Sequence, residues 1–444
     1  VISGDSLYEG KAGVASSFRI ELRDSSGNRV GEAPTNSLGS GLPALEMVLQ
    51  PTGSMAAEPV MGNVEYSAFE GAYTVTFRAD MTGVYNARVL LYGEALTMPL
   101  DYRGTTIHPG QIHTDSCYAK GTLVGGNTFS SGASVATDII AMDAFGNQLE
   151  VGGSSFRVVS ASARFVGIGN PVMNATLWEP NGRRTLSFVG TYEDNYDGTY
   201  SLRSEVVESG YWLTSIMRGG VHISGSPYIT NVVPAETDPV ASTAICADGS
   251  ESCGAFIATA GIRTSFVVQA KDRYGNNKLN NGDRFFYSII GQGGFTKAGE
   301  AHVRGSTYPG QYEISYTTQT SGALTVDITF QEQPVFQNSF DVVPSTVYAP
   351  SCTLASAGFP LTQAGVVETV TVTSRDLYGN RLTKGGHPFI VTLELNAVGQ
   401  AAYSQELAVT DRGDATYDAS YMVVKSGNYF IRASLGASNT PTVD

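Results

Sequence analysis

The turn sequence KDRYGNNK, Lys271–Lys278, is the most informative segment of this chain because it occurs in four versions. The other three are RDSSGNRV from Arg23, MDAFGNQL from Met142 and RDLYGNRL from Arg375. All four share an Asp, two variable residues and Gly-Asn, and an Asn after Gly suits positive φ and side-chain capping of a tight turn. Four copies of one turn predict four copies of one domain.

The spacing of the four turns gives the size of that domain. Their separations are 119, 129 and 104 residues, measured between Asp24, Asp143, Asp272 and Asp376. This period matches a β-sandwich of immunoglobulin size and is too long for a solenoid repeat. A length of 444 residues on its own would predict about three domains.

The residues before each turn alternate between apolar and polar. SSFRIEL, TSFVVQA and ETVTVTS end just before three of the turns, and the second copy is weaker. Alternation with period two predicts a strand that runs into the turn. Three copies place a Phe 13 residues after the aspartate, at Phe156, Phe285 and Phe389, whereas Ser37 takes this position in the first copy.

A second landmark follows in each copy. A tyrosine (Tyr73, Tyr200, Tyr312, Tyr417) precedes a glycine by ten residues (Gly83, Gly210, Gly322, Gly427). A large apolar residue stands two positions after each glycine. The constant spacing predicts a β-hairpin of fixed register, with the tyrosine on its first strand.

Composition supports a packed β protein and excludes several functions. Hydrophobic residues make up 42% and charged residues 15%, with 51 glycines. A net charge of −14 argues against nucleic-acid partners, which need a basic surface, and against anionic lipid. No run of about 18 apolar residues is present, so no membrane span is expected within this chain. This observation leaves open a membrane anchor that lies outside the chain.

The landmarks together resemble the filamin-type immunoglobulin repeat. The resemblance rests on Phe266–Asn276 (FVVQAKDRYGN), Asp197–Leu202 (DGTYSL), Gly210–Leu213 (GYWL) and Ser224–Ile229 (SGSPYI). It implies an all-β fold of four tandem immunoglobulin-like (filamin-type) β-sandwich domains in an elongated string. The first and fourth copies lack a clear counterpart of the Ser-Pro-Tyr strand.

We call the four predicted domains repeats 1 to 4. Their predicted boundaries are 1–110 (divergent), 111–237, 238–346 and 347–444. The last strand of repeat 4 looks short, which predicts a truncated sandwich. Short linkers rich in Pro predict a semi-rigid string.

Four cysteines and one sequon bear on the cellular compartment. Cys246 and Cys253 are candidates for a small disulfide-closed loop, and Asn174 is a glycosylation candidate. Cys117, Cys246 and Cys352 precede their aspartates by 24 to 26 residues, so we expect them to share one buried position. A closed loop suits the exterior and unpaired thiols suit the cytosol, so both compartments remain open.

Four short motifs could be interpreted as active or binding sites. GDSL at Gly4–Leu7 matches a serine-esterase tetrapeptide, yet no helical pattern supplies the α/β scaffold that this chemistry needs. Two further clusters resemble metal ligands, namely His108, His113, Asp115 and Cys117, and the acidic segment Glu193–Gly198. Neither has the spacing of a zinc site or a calcium loop. RGD at Arg412–Asp414 is predicted on an exposed turn.

We therefore assign no catalytic, cofactor-binding or metal-binding residues and expect a protein that is not an enzyme. The resemblance implies two settings. One is a cell-surface ectodomain of the kind found in algal and plant gamete-adhesion proteins, with a surface receptor as partner. The other is a cytoplasmic scaffold, cytoskeletal or ciliary, with a cytoskeletal partner. In both, binding would use exposed loops or strand addition at a sheet edge.

Overall fold

The computed structural model describes residues 1–30, 45–53, 57–163, 191–246, 257–395 and 403–436. The chain forms two compact units, Val1–Val233 and Pro234–Asp444. Secondary structure in the described residues consists of β-strands and a few three-residue 3-10 helices. The all-β prediction is confirmed.

Repeat 1 forms two sheets that enclose one apolar core. The first sheet has the order β1-β3-β7-β6, and the second has the order β2-β10-β8-β4-β5 with β9 added to β8. Its strands are β1 Ile2–Ser3, β2 Glu9–Lys11, β3 Ser16–Ile20, β4 Leu45–Pro51, β5 Val60–Met61, β6 Asn63–Ser67, β7 Ala72–Phe77, β8 Gly83–Leu91, β9 Glu94–Ala95 and β10 Thr105–His108.

Repeat 2 has the same arrangement and completes the first unit. Its sheets have the orders β11-β13-β16-β15 and β12-β19-β17-β14, with β18 added to β17. Its strands are β11 Tyr118–Gly121, β12 Thr128–Ser130, β13 Ala133–Ile140, β14 Arg157–Ala163, β15 Thr191–Asp194, β16 Thr199–Val206, β17 Gly210–Arg218, β18 Val221–His222 and β19 Tyr228–Val233.

Repeat 3 begins the second unit. Its sheets have the orders β20-β22-β26-β25 and β21-β28-β27-β23-β24. Its strands are β20 Thr243–Cys246, β21 Ala258–Thr259, β22 Thr264–Gln269, β23 Phe285–Gly291, β24 Thr296–Glu300, β25 His302–Val303, β26 Gln311–Tyr316, β27 Gly322–Phe330 and β28 Gln333–Val343.

Repeat 4 has a four-stranded sheet and a three-stranded sheet within the described residues. Their orders are β29-β30-β34-β33 and β32-β31-β35. The strands are β29 Thr353–Ser356, β30 Val367–Thr373, β31 Phe389–Leu395, β32 Ser404–Leu407, β33 Val409–Asp411, β34 Thr416–Met422 and β35 Tyr429–Leu435. The four domain boundaries remain predictions.

The structure corrects the predicted β-hairpin. In every repeat the tyrosine strand lies in one sheet and the next strand lies in the other, as β26 and β27 show. The glycine between them has a φ of +136° at Gly83 and +122° at Gly322, values that side chains rarely adopt. The chain therefore crosses between the sheets at this glycine, and the fixed spacing reflects the thickness of the sandwich.

The two sequence landmarks meet in the core. The Phe and Tyr ring centroids lie 5.0, 4.9 and 4.7 Å apart in the pairs Phe156–Tyr200, Phe285–Tyr312 and Phe389–Tyr417. The tyrosine hydroxyls also accept backbone N–H groups from the loop before the Phe strand, for example from His387 to Tyr417 at 3.0 Å. Ser37, which replaces the Phe in repeat 1, lies outside the described residues.

The prediction that three cysteines share one structural position is only partly right. Cys117 and Cys352 each directly precede the first strand of their repeat, and both are free thiols. In repeat 3 this place belongs to Ser242, whose hydroxyl donates to the Asp238 carbonyl at 2.7 Å, as the Cys117 thiol does to the His113 carbonyl at 3.2 Å. Cys246 ends β20, four residues later, so equal counting from the aspartate misplaced it.

Candidate functional site

The Asp-x-x-Gly-Asn turn forms a closed hydrogen-bond ring. In repeat 4, one carboxylate oxygen of Asp376 accepts the backbone N–H groups of Tyr378 and Asn380, both at 2.9 Å. Its second oxygen accepts the Asn380 side-chain N–H at 2.8 Å. These donors stand two and four positions after the aspartate, which explains why the spacing is constant.

The same carboxylate also holds the linker that precedes its repeat. The second oxygens of Asp143, Asp272 and Asp376 accept a linker backbone N–H at 2.9, 3.0 and 2.9 Å. All three aspartates are fully buried. Asp24 of repeat 1 keeps the internal ring but is exposed. The aspartate is thus buried in the three repeats in which it accepts a hydrogen bond from a linker, and exposed in repeat 1.

These contacts shift the acidity of the aspartates. Burial alone would raise the pKa of Asp143 and of Asp376, because it disfavours the charged form. Hydrogen bonds from Asn147 and Gly110, and from Asn380 and Ser345, outweigh burial and lower both pKa values below the ordinary range. The ionised carboxylates therefore stabilise the folded turns.

The turn of repeat 2 also binds repeat 1. The Asn147 side chain donates from Nδ2 to the Asp80 carbonyl at 2.8 Å. Its Oδ1 accepts the backbone N–H of Thr82 at 3.0 Å. The amide thus pairs with backbone groups three and one positions before Gly83. Asn147 is buried, so water does not compete for these bonds.

The turn of repeat 4 binds repeat 3 in the same way. Asn380 donates from Nδ2 to the Gln319 carbonyl at 2.8 Å and accepts the Ser321 N–H at 3.0 Å. Gln319 and Ser321 lie three and one positions before Gly322, so the backbone partners match those in repeat 1. Two independent junctions share one geometry.

An aromatic residue in each turn completes the contact. Phe145 lies so close to Gly13 that a Cβ added to this glycine would be 2.0 Å from the ring. A Cβ added to Gly261 would likewise be 2.1 Å from the Tyr378 hydroxyl oxygen and 2.4 Å from its ring. Both glycines stand 11 residues before the aspartate of their own repeat and have positive φ. The Arg78 guanidinium also covers the Phe145 ring at 5.4 Å.

We call the Asp, aromatic and Asn of a turn the latch. The socket is the glycine, the carbonyl and the N–H that receive it on the preceding repeat. From the sequence, the turn was predicted only as a structural marker, and this contact was not predicted because the partners are backbone groups of a different repeat. The recurring aromatic two positions after Asp143, Asp272 and Asp376 was the available signal.

Comparison with known proteins agrees with this architecture. No family model matches the chain. Filamin-C of Mus musculus is 24% identical over 452 residues, which cover 99% of this chain. Over nearly its whole length the chain is similar to an array of filamin-type immunoglobulin-like repeats. It spans 13% of the length of the curated relatives that it matches.

The solved structures that are similar to this chain share only low overall similarity with it. The Escherichia coli adhesin FdeC is 18% identical with a TM-score of 0.41, covering 74% of this chain and 95% of its own. The Lin-41 filamin domain is 14% identical with a TM-score of 0.20, covering 25% of this chain and 92% of its own.

The RGD segment of repeat 4 is exposed, as predicted, but its charged groups have partners within the repeat. Arg412 pairs with Asp418. The Asp414 carboxylate accepts the Thr416 N–H at 3.1 Å and lies 3.4 Å from the Arg381 guanidinium. Thr416 and Arg381 lower the pKa of Asp414. These contacts fix the turn before β34.

The acidic segment Glu193–Gly198 and the GDSL segment also have structural roles. Asp194 accepts the N–H groups of Tyr196 and Gly153 at 2.8 and 2.7 Å. Asp197 caps Thr199, whose hydrogen bonds lower the Asp197 pKa. Ser6 belongs to the 3-10 helix Asp5–Leu7, which connects β1 and β2.

The four residues that resemble a metal-ligand set, His108, His113, Asp115 and Cys117, take part in separate contacts. His108 pairs through Nδ1 with Glu150 at 2.9 Å, and His113 pairs with Ser116 at 3.0 Å. Asp115 lies in the 3-10 helix Thr114–Ser116, and the Cys117 thiol is buried with a raised pKa caused by desolvation. Within the described part of the chain, no group of three or more His, Cys, Asp or Glu side chains could hold a metal.

Two modification candidates remain predictions. Cys246 is buried and disulfide-bonded, but Cys253 lies outside the described residues, so the pairing itself is not established. Asn174 also lies outside them. In the portion of the chain that is described, no helix is long and apolar enough to cross a membrane.

Replacing Asn380 by Ala should loosen the junction between repeats 3 and 4. The change removes both bonds to the socket and should cost roughly 1–2 kcal/mol of docking free energy. Spin labels at Ala298→Cys and Glu406→Cys, in a Cys352→Ser background, should show a broader distance distribution by pulsed electron resonance. The matched control is Asn28→Ala, which alters an exposed turn and should leave the distribution unchanged; equal broadening in both would contradict the latch.

Proposed function

We propose that this chain is a non-catalytic structural and adhesive protein whose latched repeats hold protein-binding surfaces at a fixed spacing. The observation that carries the proposal is the repeated latch at the two junctions. An interface that fixes adjacent domains is useful where spacing or load transfer matters. The partner class is another protein.

The surface of repeat 3 offers one route for binding a partner. Strand β24 (Thr296–Glu300) lies at the edge of its sheet, pairs only with β23 there, and is exposed throughout. An exposed edge can accept a strand from a partner, while the charged Lys297 and Glu300 side chains limit self-association. Binding by strand addition at this edge fits a partner that supplies an extended segment.

We place the protein at the cell surface, in cell–cell adhesion, with gamete adhesion as the specific form of the proposal. The disulfide at Cys246 supports an oxidising compartment. A second function, an intracellular cytoskeletal or ciliary scaffold, is favoured by the free thiols of Cys117 and Cys352 and by the similarity to Filamin-C. In both cases the repeats space and dock partners.

The redox state of the native protein separates the two functions. The surface proposal predicts two titratable thiols after unfolding without reductant, a bonded Cys246–Cys253 pair in the peptide map, and a glycan on Asn174. Four titratable thiols and an unmodified Asn174 in protein from the native source would contradict it. Labelling of intact cells with an antibody to the chain should then be positive for the surface protein and negative for the scaffold.

A further inference from the structure

Repeat 4 carries the same socket that repeats 1 and 3 use to receive a latch. Gly365 stands 11 residues before Asp376 and has a φ of +85°, close to +75° at Gly13 and +82° at Gly261. Its N–H donates to the Val423 carbonyl at 2.8 Å, as those of Gly13 and Gly261 do to Ala79 and Thr318. The backbone of the socket is therefore built alike in all three repeats.

The hydrogen-bonding groups of the socket are also present in repeat 4. Counting back from Gly427, the positions of Asp80 and Thr82 correspond to Val424 and Ser426. Among the described residues, the Val424 carbonyl and the Ser426 N–H have no hydrogen-bond partner. They are the acceptor and the donor that an asparagine side chain bridges at the other two junctions.

Nothing in the described structure fills the space above Gly365. A Cβ added there would meet no atom within 4 Å, whereas at Gly13 it would lie 2.0 Å from the Phe145 ring. The two segments that form the socket also carry exposed apolar side chains, since Val367 is 66% and Val424 70% exposed. Met422 takes the place of Arg78, which covers Phe145, and a thioether also contacts aromatic rings favourably.

We propose that this end of repeat 4 is a docking socket for the Asp-x-aromatic-Gly-Asn turn of a further filamin-type domain. The occupant is identified by its chemistry. An aromatic ring would cover Gly365 and contact Met422, and an asparagine amide would bridge the Val424 carbonyl and the Ser426 N–H. The inference rests on the latch geometry and is independent of the proposed adhesive function.

Repeat 1 provides a probe for this socket within the same chain. Its turn has the aspartate ring and an exposed Asn28, but Ser26 stands where the other turns have an aromatic. The Ser26 N–H already donates to Asp24 at 2.9 Å, as the Phe145 N–H does to Asp143. Ser26→Phe should therefore complete an exposed latch without altering its backbone.

The test is sedimentation equilibrium of the full chain. Ser26→Phe should raise the head-to-tail association constant about tenfold over the unmodified chain, because one aromatic contact adds roughly 1.4 kcal/mol. Adding Gly365→Asn, which tolerates positive φ but fills the socket, should return association to the unmodified level. Adding Gly386→Asn instead, at another open glycine of positive φ, should leave association high.

Two outcomes would overturn the proposal. One is no increase in association for Ser26→Phe at the highest soluble concentration. The other is an increase that Gly365→Asn does not remove, since the new contact would then lie elsewhere. Circular dichroism of each variant establishes that the sheets are intact before sedimentation is compared.

Discussion

Replacing Phe285 by Ala should destabilise repeat 3 by roughly 3–5 kcal/mol, the range typical of removing a buried phenylalanine. Phe285 is fully buried at the start of β23. Its ring centroid lies 4.9 Å from that of Tyr312 and 5.1 Å from that of Phe330, so one substitution opens a cavity that contacts both sheets. The prediction follows from the recurring Phe–Tyr contact.

The neighbouring residue is a matched control for this substitution. Phe286 points to the opposite face of β23, is 43% exposed, and contacts the Arg284 guanidinium at 5.4 Å. Phe286→Ala should cost less than about 1 kcal/mol. Hydrogen exchange of the β26 amides reports the local free energy of opening. Equal losses at the two positions would show that the core does not depend on the Phe–Tyr contact.

Replacing Asp376 by Ala should destabilise repeat 4 by about 3 kcal/mol or more, because it leaves buried donors without an acceptor. The carboxylate accepts four hydrogen bonds, from Tyr378, Ser345 and twice from Asn380. Loss of the carboxylate should also release the linker at Ser345. Urea unfolding monitored by hydrogen exchange in β30 and β34 measures the change.

The matched control for Asp376 is Asp24→Ala. The Asp24 turn has the same internal ring but is exposed, so water can replace the lost acceptor, and a clearly smaller loss of stability than for Asp376→Ala is expected. Comparable losses at both positions would contradict the claim that linker contact makes the difference.

The lowered pKa of Asp376 gives the same prediction a dependence on pH. Because the folded-state pKa lies below the unfolded value of about 3.9, the stabilisation is present above that value and is lost as pH falls through the folded pKa. The opening free energy of repeat 4 should therefore decline below about pH 4 in the unmodified chain. Asp376→Ala should show a smaller decline over the same interval.

Local sequence patterns were sufficient to predict the strands and much of the core. Alternation before each turn located β3, β22 and β30, because a strand with one buried face must alternate. Phe285 and Tyr312 were both identified as landmarks, although their contact was not predicted. A contact between two residues that are tens of positions apart depends on the fold, and neither local sequence pattern predicts it.

Features that depend on three-dimensional topology could not be read from the sequence. The spacing from Tyr312 to Gly322 fits a hairpin and a crossing between sheets equally well, and only packing of the two sheets selects the crossing. Ser242 can occupy the position that Cys has in repeats 2 and 4, because either side chain can donate a hydrogen bond to one backbone carbonyl and accept one from a backbone N–H. The latch was missed because its partners are a backbone carbonyl and a backbone N–H of another repeat, so that only the recurring aromatic of the turn gave a signal.

The central claim is that the turns fix adjacent repeats through their asparagine side chains. Residue-resolved hydrogen exchange of the unmodified chain tests it most directly at three equivalent amides. Thr82 and Ser321 donate to Asn147 and Asn380, whereas Ser426 has no partner in the described residues. After correction for intrinsic rates, the first two should exchange roughly fivefold to tenfold more slowly than Ser426. Equal protection at all three amides would contradict the account.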